Sequence, residues 1–278
     1  MKILLLGSKG RLGSAFKYFF IKNKIKYFSV DNKKLFTSQK KIRDLMCKKL
    51  NNKTDIILNC TALTDVDLCN NNFKKAYDVN AKVLENIVDS LTALNINPVL
   101  VHFSTDQMYS QKRQKKSNEK DINPSNFYAI SKYLGELKVA KLKKHIIIRT
   151  NFFGTSHNKT KITYSDYLIK NLKKKILKIP KNIFFNPILI DDLVLNTYLL
   201  VKKNFYGTYN IGSSTYMSKY EFALNLAKIK KLPIKNILPY NSIPSKHNRP
   251  LFTVMNTLKF SKKTKIKLPK LIDCIKRI

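Results

Sequence analysis

Short apolar runs alternate with longer amphipathic stretches over the first 150 residues of the chain. The apolar runs are typical of buried strands, and the stretches between them carry apolar residues at three- and four-residue spacing, which indicates helices. This alternation predicts an α/β fold with a doubly wound parallel sheet. The predicted strands are Lys2–Leu6, Lys26–Val30, Asp55–Leu58, Pro98–Ser104 and His145–Arg149, and the predicted helices are Leu12–Asn23, Lys40–Leu50, Phe73–Leu94 and Ser125–Leu142.

After about residue 150 the alternation becomes less regular, and short predicted strands mix with helices. We therefore expect a dinucleotide-binding domain at 1–150 and a smaller, mainly substrate-binding lobe at 151–278, interleaved with it and with an approximate boundary. The charged segment Gln111–Asp121 predicts an exposed loop. The predicted elements of the lobe are the strands Ile183–Ile190 and Thr208–Ile211 and the helices Asp192–Val201 and Ser218–Lys228.

The net charge of +37 is the footprint expected of a nucleic-acid-binding protein. Only six of the 54 basic residues are arginine, however, and the lysines run through the whole chain beside abundant asparagine and isoleucine. Arginine is the residue that base-reading and phosphate-clamping surfaces favour. The charge therefore indicates a compositional bias and no specific nucleic acid, although a positive field also attracts anionic substrates.

No stretch of the sequence approaches the roughly 20 apolar residues of a membrane-spanning helix, and the first apolar run breaks at Gly7. The four cysteines form no CxxC pair and lack the spacing of a metal site or of a small disulfide framework. We expect a cytoplasmic protein with no membrane partner.

The first predicted strand runs into a glycine-rich turn, LLLGSKGRLGSAF, with Gly7, Gly10 and Gly13 in the spacing GxxGxxG. Three of the seven glycines in the chain fall in this turn, where a backbone must approach a pyrophosphate and a helix must pack on a strand. The helix that follows offers free N–H groups to phosphates. We predict a dinucleotide site that includes Arg11 and Leu12.

The second predicted strand ends at Asp31, where an acidic residue is placed to accept hydrogen bonds from an adenosine ribose. That position favours NAD. Lys33 and Lys34 follow and are suited to a 2′-phosphate, so the preference between NADH and NADPH stays open.

Tyr128 and Lys132 lie four residues apart on a predicted helix and therefore share one face of it. A neighbouring ammonium favours the phenolate and lowers the pKa of a tyrosine from about 10, which suits an acid or base that works beside hydride transfer. The fourth predicted strand delivers Ser104, Thr105 and Asp106 at its carboxyl end, the edge where a doubly wound sheet binds ligands.

Six motifs, in order along nearly the whole chain, resemble those of the extended short-chain dehydrogenases, and most closely the dTDP-4-dehydrorhamnose reductase family. The resemblance implies a Rossmann-type fold and reduction of the 4-keto group of a nucleotide-linked deoxysugar by NADPH or NADH, in dTDP-rhamnose synthesis for a polysaccharide. It leaves a homodimer open. The motifs are GxxGxxG, FSTDQMY, YAISK, IIRTNFFG, NPILIDDL and NRP.

The resemblance also implies roles for individual residues. Thr105 would hold the substrate carbonyl, Tyr128 would protonate the developing alkoxide, and Lys132 would bind the nicotinamide ribose and tune the tyrosine. The loop Thr61, Ala62 and Leu63 would line the cofactor, and Asp106 would lie beside the sugar. We further expect Arg249 to clamp the diphosphate.

Two departures from the family pattern concern the substrate and a metal. Phe152 stands where the rhamnose enzymes often carry tryptophan, so the surface against the sugar differs. Some members bind magnesium through carboxylates at a carboxyl-terminal dimer contact, but the tail here offers only Asp273, so we predict no metal.

Related functions stay open as alternatives. A nucleotide-sugar dehydratase or epimerase shares the fold, the glycines and the Tyr/Lys pair, but the dehydratases carry Asp-Glu after the threonine where this chain has Asp106 and Gln107. A neutral amide is no base for proton removal, which favours plain reduction. The resemblance also extends to a non-catalytic regulatory subunit of methionine adenosyltransferase.

Overall fold

The structure is a computed structural model that describes residues 2–31, 38–49, 56–110, 115–155, 158, 162–243 and 249–278. Its strands are β1 Ile3–Leu6, β2 Tyr27–Val30, β3 Ile56–Asn59, β4 Val99–Thr105, β5 His145–Thr150, β6 Phe152–Phe153, β7 Leu177–Pro180, β8 Phe184–Phe185, β9 Ile188–Leu189, β10 Gly207–Ile211, β11 Met217–Ser218 and β12 Ile237–Tyr240. Its helices are α1 Arg11–Lys22, α2 Gln39–Lys49, α3 Val66–Asn71, α4 Phe73–Tyr77, α5 Val83–Ala93, α6 Phe127–Val139, α7 Tyr164–Leu172, α8 Ile190–Lys202, α9 Lys219–Ile229, α10 Leu258–Thr264 and α11 Leu271–Lys276.

Six of the described strands form one sheet in the order β10-β5-β4-β3-β1-β2. Strand β1, next to the edge strand β2, pairs in parallel with β2 on one side and with β3 on the other, and β3 pairs in parallel with β4. All four residues of β1 are buried, as a strand covered on both faces requires. The predicted doubly wound parallel sheet is confirmed, and its strand order reverses beside β1.

Helices cover the two faces of this sheet. On one face, Ile42 and Met46 of α2 pack with α5, with Val139 of α6 and with inward residues of the five strands β1 to β5. On the other, Phe16 and Phe20 of α1 lie with the opposite residues of β1 and β3 and with the second half of α8. Apolar stripes on the helices thus bury the β-strands from both sides.

The chain divides into two compact units that interleave along the sequence. The first comprises 1–105, 126–148 and 197–208, and the second comprises 106–125, 149–196 and 209–278. The second unit has its own core, in which Phe222 makes edge-to-face contacts with Phe153 and Phe185. Within the described residues, no helix combines the length and apolar character that a membrane crossing requires.

The helix predicted over Phe73–Leu94 is interrupted, because α4 and α5 are joined by a π-helical segment, Asp78–Lys82. The strand predicted over Ile183–Ile190 is two short strands, since Pro187 has no N–H for a ladder and lies between them. Two predicted ends, Leu50 and Asp55, lie outside the described residues.

The exposed loop predicted over Gln111–Asp121 is wrong in part. Residues 111–114 lie outside the described residues, but Ser117 is fully buried and exchanges backbone hydrogen bonds with Val254 and Asn256. Glu119 accepts a hydrogen bond from the Asn210 N–H through its carboxylate. Segment charge alone missed this pairing because the partners lie about a hundred residues away in sequence.

Candidate active site

The glycine-rich turn after β1 depends on its glycines. Gly7 has a left-handed φ of 79° and donates its N–H to the Val30 carbonyl at 3.0 Å. A Cβ on Gly13 would lie 2.1 Å from the Gly7 carbonyl oxygen, and a Cβ on Gly7 would lie 3.0 Å from the Cys60 carbonyl carbon. The turn is therefore too tight for any side chain at these two positions.

Helix α1 starts directly behind this turn, with Gly10 as its N-cap residue. Glycine has no side chain with which to cap the first-turn N–H groups, so these groups are available to a phosphate. Leu12 is buried and anchors the first turn, and Arg11 is partly buried beside it. The turn thus fits the pyrophosphate of a dinucleotide.

Asp31 lies at the carboxyl end of β2, where we predicted a ribose ligand, and its carboxylate also contacts the glycine-rich turn. One oxygen accepts a hydrogen bond from the Ser8 hydroxyl at 2.6 Å, and the other accepts from the Lys9 N–H at 3.0 Å. The carboxylate therefore fixes the turn as well as facing the ligand edge. Lys33 and Lys34 lie outside the described residues.

The loop after β3 is held by two asparagines. Asn59 Oδ1 accepts hydrogen bonds from the N–H and the hydroxyl of Thr61, at 3.2 and 2.5 Å. Asn80 pairs with both backbone groups of Leu63, accepting from its N–H at 2.8 Å and donating to its carbonyl at 3.0 Å. Ala62 between them is exposed. Because Thr61 adjoins Gly7, the structure brings this loop and the glycine-rich turn together.

Helix α6 presents Tyr128 and Lys132 on one buried face, as their spacing predicts. The helix starts at an Asn126 cap, whose side chain accepts the Ala129 N–H at 2.8 Å. Lys132 Nζ donates to the Phe103 carbonyl of β4 at 2.6 Å, so the ammonium lies at the fourth strand just before its carboxyl end. Burial lowers the pKa of Lys132 to about 8, a shift that the nearby Glu136 only partly opposes.

The carboxyl end of β4 carries buried polar side chains. Ser104 and Thr105 are both buried, and the Ser104 hydroxyl has no hydrogen-bond partner among the described residues. A buried hydroxyl without a partner is costly, and a bound ligand is one way to satisfy it. His102 is fully buried, and burial lowers its pKa well below the ordinary value, so it is a neutral packing residue whose Nδ1 contacts the Asn59 amide at 3.3 Å.

Asn80 is a site residue that the sequence patterns missed. It lies in the π-helical segment, is buried, and donates to the Ser131 hydroxyl at 3.0 Å in addition to holding Leu63. Gly135 lets α6 approach this segment closely, since a Cβ there would lie 2.3 Å from the Asn80 carbonyl oxygen. The signal that could have identified it is its position on the apolar face of the predicted helix, four residues after Ala76 and four before Leu84.

The second unit holds the remaining predicted residues. Asp106 is buried, and its Oδ2 accepts hydrogen bonds from the Asn151 amide and the Thr253 hydroxyl, each at 2.9 Å. Phe152 is partly buried in β6, which pairs in parallel with β9. Arg249 is exposed. It directly follows residues 244–248, which lie outside the described residues and include Asn248 of the NRP motif.

Comparison with known proteins agrees with this geometry. The family model described as RmlD substrate binding domain matches residues 1–278. The chain belongs to this family.

Individual relatives extend the match. The dTDP-4-dehydrorhamnose reductase of Aggregatibacter actinomycetemcomitans is 24% identical over 93% of this chain and 91% of its own. The spore coat polysaccharide biosynthesis protein SpsK of Bacillus subtilis is 28% identical over 61% of this chain and 59% of its own.

Solved structures share the fold of this family member. A dTDP-4-dehydrorhamnose reductase from Clostridium acetobutylicum has a TM-score of 0.89 at 23% identity and covers 100% of this chain and 98% of its own. The Bacillus anthracis reductase in complex with NADP also has a TM-score of 0.89, at 22% identity over 99% and 97% of the two chains.

Proposed function

We propose that this protein reduces the 4-keto group of a dTDP-linked deoxysugar with NADPH or NADH, converting dTDP-4-dehydro-L-rhamnose to dTDP-L-rhamnose. Membership of the family and the names of the relatives support the reaction class. The observation that carries the proposal is the buried pair Tyr128 and Lys132, whose ammonium is anchored at the strand that ends in Thr105.

The described residues fit a nicotinamide dinucleotide, which supplies a hydride when bound. The glycine-rich turn and the uncapped start of α1 would bind its pyrophosphate, with Arg11 and Leu12 in the first turn. Asp31 would contact the adenosine ribose, and Thr61, Ala62 and Leu63 would line the nicotinamide side. This assigns the cofactor to 1–150 and mainly the substrate to 151–278.

The chain's own groups would then manage the proton and the carbonyl. The Thr105 hydroxyl donates a hydrogen bond to the substrate carbonyl oxygen, which polarises the carbonyl and fixes its position. As the C4 carbon gains a hydride, its oxygen becomes an alkoxide and takes the phenolic proton of Tyr128, which gives the secondary alcohol. The Lys132 ammonium stabilises the resulting phenolate and donates hydrogen bonds to the nicotinamide ribose.

Substrate contacts would come from Asp106, Phe152 and Arg249. The Asp106 carboxylate, held by two hydrogen bonds, accepts from a sugar hydroxyl. Phe152 packs against the apolar face of the sugar, and Arg249 pairs with the diphosphate. Gln107 carries a neutral amide where a dehydratase needs a carboxylate base, so the observation favours reduction over dehydration.

The decisive experiment measures NADPH and NADH oxidation with dTDP-4-dehydrorhamnose in wild type and in Tyr128→Phe. Loss of the general acid is expected to lower kcat at least about 100-fold. Tyr133→Phe, a change of the same kind five residues further along α6, should keep wild-type turnover. Wild type that binds NADPH but turns over no keto-sugar would refute the reductase and favour a regulatory subunit. We also propose a homodimer, which sedimentation velocity would distinguish from a monomer.

A further inference from the structure

Lys219 is the first residue of α9, and its backbone position is fixed. Its N–H donates to the Ile183 carbonyl at 2.9 Å, and Ser218 before it pairs with Phe184 of β8. The Ser218 hydroxyl and the Glu221 carboxylate cap the helix reciprocally. The side chain of Lys219 therefore leaves a rigid corner of the second unit in a defined direction.

This side chain is partly buried and lies against an aromatic ring. Its Nζ is 5.7 Å from the centroid of Tyr164 at the start of α7, a cation–π distance. Among the described residues, no carboxylate lies within ion-pair distance of the Lys219 ammonium. Burial lowers the pKa of Lys219, the charge of Asp106 raises it, and the charge of Arg249 lowers it further.

The Asp106 carboxylate is held close to the start of α9. Its partner Thr253 also donates its N–H at 3.1 Å to the carbonyl of Phe184, which belongs to the strand beside Lys219. Asp106 accepts hydrogen bonds from Asn151 and Thr253 and forms no ion pair with Lys219. Arg249 precedes Thr253 by four residues, so Lys219 and Arg249 bring two positive charges to the neighbourhood of one carboxylate. A shielded ammonium without a paired anion is costly, and an anionic ligand relieves that cost through charge-assisted hydrogen bonds.

We propose that Lys219 binds the diphosphate of the nucleotide-linked substrate together with Arg249. The inference rests on the proposed function and adds a residue to its substrate site. Two cations match a ligand that carries two phosphate charges, and the Asp106 carboxylate beside them would accept the hydroxyls of the attached sugar. A diphosphate is also present in NADPH, so the two sources must be separated by experiment.

The test is calorimetric titration of dTDP into wild type, Lys219→Met and Lys228→Met. Lys228 is an exposed lysine on the same helix, about 13 Å further along its axis, so its variant loses the same charge without touching the site. Loss of one charge-assisted hydrogen bond should weaken dTDP binding by Lys219→Met at least about tenfold. Lys228→Met should bind as wild type does.

NADPH titration and thermal unfolding of the same proteins complete the test. Unchanged NADPH affinity and an unchanged or higher Tm in Lys219→Met support a substrate role, because removal of a shielded charge without an ion-pair partner does not lower the stability of the fold. Unchanged dTDP affinity, weaker NADPH binding in its place, or a lower Tm in Lys219→Met would overturn the proposal. Absence of dTDP binding by wild type would overturn it too. If dTDP binds but no keto-sugar turns over, the diphosphate site stands and only the proposed reaction fails.

Discussion

The two units hold their site residues in different ways. In the first, the glycine spacing and the four-residue Tyr128–Lys132 spacing bring residues together within one turn and one helix, and contacts with neighbouring strands then fix them. In the second, Asp106 is held by side chains 45 and 147 residues away in sequence. The residues proposed to bind the cofactor are thus placed mainly by short-range geometry and those proposed to bind the substrate by long-range contacts, and we expect changes to affect the two sets separately.

The largest effect is expected in the first unit, from Gly13→Ala. The added Cβ would meet the Gly7 carbonyl oxygen at 2.1 Å, and relief of the clash must move the turn backbone. We expect the free energy of unfolding to fall by about 3 kcal/mol. NADPH affinity should fall at least about 100-fold, which corresponds to two lost phosphate hydrogen bonds.

Fluorescence titration of NADPH and urea unfolding measure these changes. Gly10→Ala is the matched control, because its Cβ would lie 3.2 Å from the same oxygen and require a smaller adjustment. In the folded Gly13→Ala protein, dTDP affinity should change less than about twofold, since the residues proposed to contact dTDP lie outside this turn. An equal loss of NADPH affinity in Gly10→Ala and Gly13→Ala would contradict the role of the close contact at Gly13.

Lys132→Met should cost activity but stabilise the fold near neutral pH. The pKa of Lys132 is lowered to about 8 from an unfolded value near 10.4, so folding opposes its charged form by about 3 kcal/mol at pH 7. Lys132→Met removes this unfavourable free energy but also loses the hydrogen bond to Phe103, which stabilises the fold by about 1 kcal/mol. The variant should therefore be about 2 kcal/mol more stable than wild type.

The pH dependence follows from the sign of the shift. Between pH 8 and about 10.4 the unfolded chain binds more protons at this site than the folded one, so the contribution of Lys132 to wild-type stability rises with pH. The stability difference between variant and wild type should be largest below pH 8 and vanish by about pH 10.4. Urea unfolding at pH 7, 8.5 and 10 measures this trend, and a difference that grows with pH would contradict the burial of a charged lysine.

The smallest effect should come from the second unit, with Thr253→Val. The isosteric change removes one hydroxyl hydrogen bond to the Asp106 carboxylate, worth about 1.5 kcal/mol. KM for the keto-sugar should rise about tenfold with NADPH affinity unchanged, and Thr253→Ser should restore the wild-type KM. An equal loss of NADPH affinity in Thr253→Val would break the separation between the two units.

Sequence patterns predicted the parts of the molecule that repeat locally. The strand–helix alternation, the glycine spacing and the four-residue Tyr/Lys spacing each involve residues that are close together in the sequence. Lys132 was expected to act on the ribose and the tyrosine, but its hydrogen bond to Phe103 crosses 29 residues and was not predictable from spacing.

Other features had no periodic signal at all. The extra residue that makes Asp78–Lys82 π-helical leaves the apolar spacing of Phe73–Leu94 intact. Asn80 joins partners 17 and 51 residues away. The sequence gives no reason to single out Lys219 in a lysine-rich chain. Only its burial and its neighbours in the structure distinguish it from the solvent-exposed lysines.

The hydrogen bond between Asp106 and Thr253 also bears on how the protein is made. Synthesis proceeds from the amino terminus, so the strand that ends in Thr105 exists long before residue 253 of 278 has been added. Until then the Asp106 carboxylate, which follows the strand, lacks the Thr253 donor. The proposed substrate contacts can thus reach their final geometry only when the chain is almost complete, whereas the glycine-rich turn can form as soon as the first three strands have paired.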